Sequence, residues 1–182
     1  MTLFKNKYRI ESTRLKGWDY SAAGYYFITI CTKNRECILG ELVGGDVCLS
    51  NIGEIVAEEW LKTPQIRLNV DLDEWVIMPN HFHGIIILKS DGNVETPCRA
   101  VETPRRGVST GWKPDSLGSI VNQFKSVCTK RIWAMGYFDF VWQSRFYDHI
   151  IQDEASLQRI RRYISENPIK WAQDDNNPHH GS

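Results

Sequence analysis

Residues 78–88 read MPNHFHGIIIL, an apolar run opened by two histidines one residue apart. Pro79 and Asn80 mark a bend, and the residues after them have the composition of a β-strand. Side chains alternate along a strand, so His81 and His83 project to one face while Phe82 points to the other, where it can join a core. Two neutral imidazoles at that spacing can bind one divalent ion. Two ligands do not make a site, because structural zinc takes four protein ligands and catalytic zinc three, so a third must come from elsewhere in the chain. Spacing alone favours the plainer reading, two histidines on a solvent-facing strand.

The strand needs partners, and the flanking sequence supplies them. GYYFITICT (24–32) is aromatic and β-branched and reads as a central strand. CILGELVGGDVCLS reads as a hairpin turning at Gly44, Gly45 and Asp46. Ser50 or Asn51 can cap a helix over IGEIVAEEWLKT, where Ile52, Ile55, Val56 and Trp60 recur at helical spacing. DEWVIMPN is a further strand directly before the histidines. Ser116 can cap a helix over LGSIVNQFKSVCTKRIW, with Leu117, Ile120, Val121, Phe124, Val127, Cys128 and Ile132 on its apolar face and Asn122, Gln123, Lys125, Ser126, Thr129 and Lys130 opposite. FDFVWQSRFYDHII is the last strand candidate, and Asp153 opens a final helix, EASLQRIRRYISEN, stopped by Pro168. Too few β-α-β units are present for a doubly wound sheet, so the expected class is α+β, an antiparallel sheet with helices packed on it.

A chain of 182 residues with 42% hydrophobic and 12% aromatic residues can bury one sizeable core. One domain is expected over residues 1–175, with a short tail at 176–182. Residues 91–115, which contain the near-duplication VETPCRA and VETPRRG, read as a flexible loop. Five cysteines with no C-x-x-C indicate neither a disulfide framework nor a zinc ribbon. The longest apolar run is far short of a membrane span, and MTLFKNKYRI lacks the pattern of a signal peptide, so a cytoplasmic protein with no membrane partner is expected. Net charge is zero, which removes the simplest argument for a nucleic-acid partner. Basic residues nonetheless concentrate in the first twenty positions and in the later half, and acids around Glu54 to Glu59 and Asp71 to Glu74, so one face can still be basic.

The final helix supplies a candidate partner for the histidines. At about 100° per residue, Leu157, Ile160 and Ile164 form its buried stripe, Tyr163 lies on the shoulder and Asn167 one turn further on. A tyrosine there can rest its ring on the core and aim its hydroxyl into a cleft. The same residues also suit an aromatic at a core boundary and a helix stop before proline.

Taken together, RLKGWDYSAAGYYFITICTKNRECILGEL, MPNHFHGIII, SLGSIVNQFKSVCTKRI, VWQSRFYDHII and LQRIRRYISENPIKW resemble, in that order, the REP-associated tyrosine transposases, members of the HUH single-tyrosine superfamily related to small insertion-sequence enzymes. The resemblance spans nearly the whole chain except the loop at 91–115 and the tail after Trp171. It implies a ferredoxin-like (RRM-like) HUH nuclease architecture. It also implies a metal-dependent single-stranded DNA endonuclease and strand transferase, acting at palindromic hairpin-forming repeats through a 5′-phosphotyrosine intermediate. On this resemblance Tyr163 is the nucleophile, and His81, His83 and Asn167 hold Mg²⁺ or Mn²⁺. The superfamily often has glutamine where this chain has Asn167. Arg14, Lys16, Lys125, Lys130, Arg131, Arg145 and Arg162 are candidates for tracking DNA phosphates, and His149 is expected to be structural or DNA-contacting. The protein would be associated with the nucleoid, as a monomer or a homodimer. The competing reading is a non-mobile, sequence-specific single-stranded DNA-binding protein of the same fold. An RNA-binding domain is disfavoured by the lack of a sheet-borne K/R-G-F/Y motif, and a paired-histidine phosphoesterase by the lack of a second such motif.

Overall fold

A computed structural model describes residues 15, 17–90, 114–174 and 176–177. The chain runs β1 (Gly24–Cys31), β2 (Gly40–Val43), β3 (Asp46–Leu49), α1 (Asn51–Ile66), β4 (Val70–Met78), β5 (His81–Leu88), α2 (Leu117–Ala134), β6 (Tyr147–Ile151) and α3 (Glu154–Glu166). The main sheet has the order β4-β5-β1-β6 with every pairing antiparallel, and β2 and β3 form a separate hairpin turning at Gly44 and Gly45. The fold is α+β, an antiparallel sheet with helices on it. The loop expected at 91–115 falls, up to residue 113, outside the described residues.

Helices cover both faces of this sheet, which is why β5 reads as a continuous apolar run instead of an alternating one. On one face Tyr26, Ile28, Ile30, Phe82 and Ile86 pack with Ile55, Val56 and Trp60 of α1 and with Ile120, Phe124 and Ile132 of α2. Phe82 is fully buried there, its ring 4.5 Å from Trp60 and 5.9 Å from Phe124. Gly84 makes the close approach of α1 possible, because a Cβ at that position would stand 2.7 Å from Trp60 Cζ2. On the opposite face Phe27, Ile85 and Ile151 pack against Leu157, Ile160 and Ile164 of α3. A register shift in β4 between Leu72 and Trp75 frees Asp73 from the ladder, and its carboxylate takes the Arg161 guanidinium of α3 at 2.6 and 3.1 Å. α3 is thereby pinned across the sheet face that carries the histidines.

The helix starts follow capping chemistry: Ser50, Ser116 and Asp153 accept hydrogen bonds from the backbone N–H of Gly53, Ser119 and Ser156. Three expectations need correction. α1 does not stop at Thr63 but runs through Pro64 to Ile66, because a proline in the last turn forfeits one backbone bond and Arg67 N–H still closes on Thr63 O at 3.0 Å. Of the strand expected over residues 138–151, only Tyr147–Ile151 forms. Phe140 and Trp142 instead anchor an irregular segment in the core, with one isolated bridge from Trp142 to Thr32. Lys125, expected on the outer face of α2, is buried, and its ammonium donates to the carbonyls of Gln143 and Ser144.

Candidate active site

Strand alternation sets His81 and His83 on the α3 face of β5, and register sets Cys31 and Thr29 of β1 directly opposite them. Neither histidine faces solvent: both are buried, contrary to the plainer reading of their spacing. Asn80 orients the first ring. Its amide nitrogen donates to Arg35 O at 3.0 Å and to Asn176 O at 2.7 Å, so its Oδ1 must be the atom 2.8 Å from His81 Nδ1. That acceptor places the His81 proton on Nδ1 and leaves a lone pair on Nε2. The Nε2 of His83 lies 3.0 Å away, and its own Nδ1 meets Thr29 Oγ1 at 2.8 Å, a hydroxyl that can donate or accept as the ring requires.

Burial lowers the pKa of His81 to about 4, with Arg35 pushing further down and Asp174 opposing. Burial, then the neighbouring His81, holds His83 well below 6.5. Both imidazoles are therefore neutral at neutral pH, the form that can coordinate a cation.

Helix α3 brings in Tyr163. Its ring packs edge-on to Phe27 with centroids 6.0 Å apart, and Phe27 in turn stacks on His83 at 5.4 Å. Tyr163 Oη stands 3.3 Å from His83 Nε2, while 44% of the residue remains exposed. The ring is held by the core, and part of the residue faces solvent. Asn167, at the end of α3, is buried, and its Nδ2 donates to Asp174 Oδ2 at 3.3 Å. Its Oδ1 is buried without a hydrogen-bond partner among the described residues.

Asp174 was not among the residues singled out in the sequence. It follows the short turn Trp171–Gln173, and its Oδ2 lies 4.0 Å from His81 Nε2. One ligand atom each from His81, His83 and Asp174 fall within 4.8 Å of one another. The only sequence signal was an acid soon after the helix-ending proline, in WAQDDNNP, which otherwise reads as a polar tail.

The residues fit a divalent metal. Two ligand atoms about 2.1 Å from an octahedral ion and at right angles are about 3.0 Å apart, and the two Nε2 atoms are separated by 3.0 Å. Among the described residues the Asn167 Oδ1 lacks the partner a buried carbonyl ordinarily has, and it is an oxygen donor.

The candidate DNA contacts are distributed differently from one another. Arg14 and Lys16 lie outside the described residues. Lys130, Arg145 and Arg162 are exposed. Arg131 is engaged by Glu58 at 2.8 Å and Glu59 at 2.6 Å, which ties α2 to α1, and Lys125 is buried as described. His149 is exposed on β6 opposite Phe27, and Trp142 is core, whereas Trp171 sits half-buried with its ring 5.7 Å from His81. Among the described residues no helix is long and apolar enough to cross a membrane.

No family model matches the chain. An uncharacterized protein of Haemophilus influenzae is 42% identical over 171 residues, covering 90% of this chain and 91% of that protein. Among solved structures, a REP-associated tyrosine transposase bound to a REP hairpin superposes with a TM-score of 0.58 at 21% identity, over 89% of this chain and 74% of that one. The chain thus belongs to one family with the Haemophilus influenzae protein, and its fold is that of the REP-associated tyrosine transposase.

Proposed function

We propose that this protein is a metal-dependent endonuclease and strand transferase on single-stranded DNA, acting at palindromic hairpin-forming repeats through a 5′-phosphotyrosine intermediate. The observation that carries the reading is Tyr163 Oη at 3.3 Å from one of two neutral, buried, facing imidazoles. His81 and His83 would hold Mg²⁺ or Mn²⁺ through Nε2, with Asn167 Oδ1 as the oxygen donor. When bound, the ion supplies polarisation of the scissile phosphate and stabilises the charge that develops on it.

The chain's own groups do the rest. Phe27 and the α3 backbone hold the Tyr163 ring so that Oη has little freedom to lose when it attacks. The phenol must give up its proton in the step, and the exposed part of Tyr163 opens to solvent for that transfer. Oη then bonds to phosphorus, the bond from phosphorus to the 3′ oxygen breaks, and that oxygen leaves as a 3′-hydroxyl after taking up a proton. One phosphodiester is exchanged for another, so a different 3′-hydroxyl can reverse the step without ATP. Exposed Lys130, Arg145 and Arg162 are suited to track phosphates, and exposed Tyr147, opposite Thr29 on the sheet edge, to stack a base.

The test is cleavage of an end-labelled single-stranded hairpin oligonucleotide by wild type and His83→Ala. Cleavage is expected with Mn²⁺ and wild type only. Equal cleavage in EDTA would remove the ion from the account.

A further inference from the structure

We infer that Asp174 is a ligand of the metal ion through Oδ2, so that the site is two imidazoles and a carboxylate with the Asn167 amide beside them. The inference rests on the metal-dependent reading above and changes its donor set from neutral to anionic.

The carboxylate has two oxygens with different occupations. Oδ1 accepts the backbone N–H of Asn176 at 2.6 Å, closing a local turn. Oδ2 lies 4.0 Å from His81 Nε2 and, among the described residues, receives only the Asn167 Nδ2 donor at 3.3 Å. The side chain is 7% exposed, so its oxygens are largely removed from water. A divalent cation would take one ligand atom from each of His81, His83 and Asp174, which lie within 4.8 Å of one another.

An independent observation lies alongside. Asn167 is 3% exposed, and its Oδ1 has no hydrogen-bond partner among the described residues. The Asp174 carboxylate dictates that orientation, since only Nδ2 can face it. The same amide thus steadies Oδ2 and leaves a second oxygen unpaired, which a cation would satisfy. Two imidazoles with one carboxylate leave open positions on a six-coordinate ion, where phosphate oxygens and water can enter.

The ligand is carried by a short segment fastened to the sheet. Asn80 Nδ2 donates to Asn176 O at 2.7 Å, and Asn177 Nδ2 donates to Trp171 O at 3.0 Å. Asn80 therefore touches both the ring of His81 and the segment that presents Asp174.

Mn²⁺ titration of the full chain, read by electron paramagnetic resonance or calorimetry, tests the assignment on wild type, His81→Ala, Asp174→Asn and Asn167→Ala. Wild type should bind one ion. Asp174→Asn should weaken it by about 100-fold or more, beyond the roughly 10- to 100-fold that loss of a residue merely supporting a ligand costs; Asn167→Ala should also weaken it. If His81→Ala loses the ion while Asp174→Asn binds as wild type does, Asp174 is no ligand and the metal reading stands. If wild type binds no Mn²⁺ and cleaves DNA in EDTA, the metal reading itself falls, and this assignment with it. Should Asp174→Asn fail to fold, hydrogen exchange on wild type decides: Mn²⁺ should slow the amides of Asn176 and Asn177, and binding without any slowing would overturn the assignment.

Discussion

The Oδ1 of Asn80 accepts the His81 Nδ1 proton at 2.8 Å, and its amide nitrogen is held by two backbone carbonyls so that it cannot turn away. One side chain thus selects the tautomer of a candidate metal ligand.

Asn80→Ala removes that selection and leaves the carbonyls of Arg35 and Asn176 without their donor. Mn²⁺ affinity should fall by about 10- to 100-fold, and stability by about 1–3 kcal/mol. Calorimetric titration and urea unfolding measure the two effects separately. Wild-type Mn²⁺ affinity in a folded Asn80→Ala protein would show that the contact is incidental to the site.

Gly84→Ala tests the packing on the other face of the same strand. The added methyl would meet Trp60 Cζ2 at 2.7 Å and the Phe82 ring at 2.8 Å, so α1 or the Phe82 ring must shift. Overpacking of this kind costs about 1–3 kcal/mol. The urea midpoint should drop with little change in slope, and Trp60→Phe in the same chain should recover part of the loss. An unchanged midpoint would mean that the α1 interface has slack the structure does not show.

Acid should destabilise the metal-free protein through the histidine pair. His81 has an ordinary pKa near 6.5 and a folded value of about 4, lowered first by burial. Between those values the unfolded chain binds the proton that the folded chain refuses, so stability rises with pH across the window. The contribution is fully present above 6.5 and is lost as pH falls toward 4, and His83 acts in the same direction. Urea midpoints at pH 7 and pH 4.5 should differ by less in His81→Gln than in wild type. Equal differences would place the acid sensitivity elsewhere.

Periodicity and capping residues were enough to read the helices and the central strands, because Ser50, Ser116 and Asp153 sit where their side chains satisfy the first turn. The pairing of His81 and His83 on one face was equally legible, since it follows from alternation alone. Their burial was not: it depends on α3 covering that face, a tertiary relation that H-x-H spacing does not encode. Lys125 was misplaced for the same reason, its ammonium being drawn inward by the carbonyls of Gln143 and Ser144, distant in sequence and irregular in backbone. Asp174 escaped notice because nothing local distinguishes it. Its position depends on the anchoring of Asn176 to Asn80, a contact 96 residues apart.

The proposed mechanism requires a covalent bond between Tyr163 and DNA. Wild type incubated with Mn²⁺ and a labelled single-stranded hairpin should yield an SDS-stable adduct, with peptide mass spectrometry placing the nucleotide on Tyr163. Tyr163→Phe, which keeps the ring packed on Phe27 and lacks Oη, should yield none. An adduct that persists in Tyr163→Phe, or maps to another residue in wild type, would contradict the mechanism.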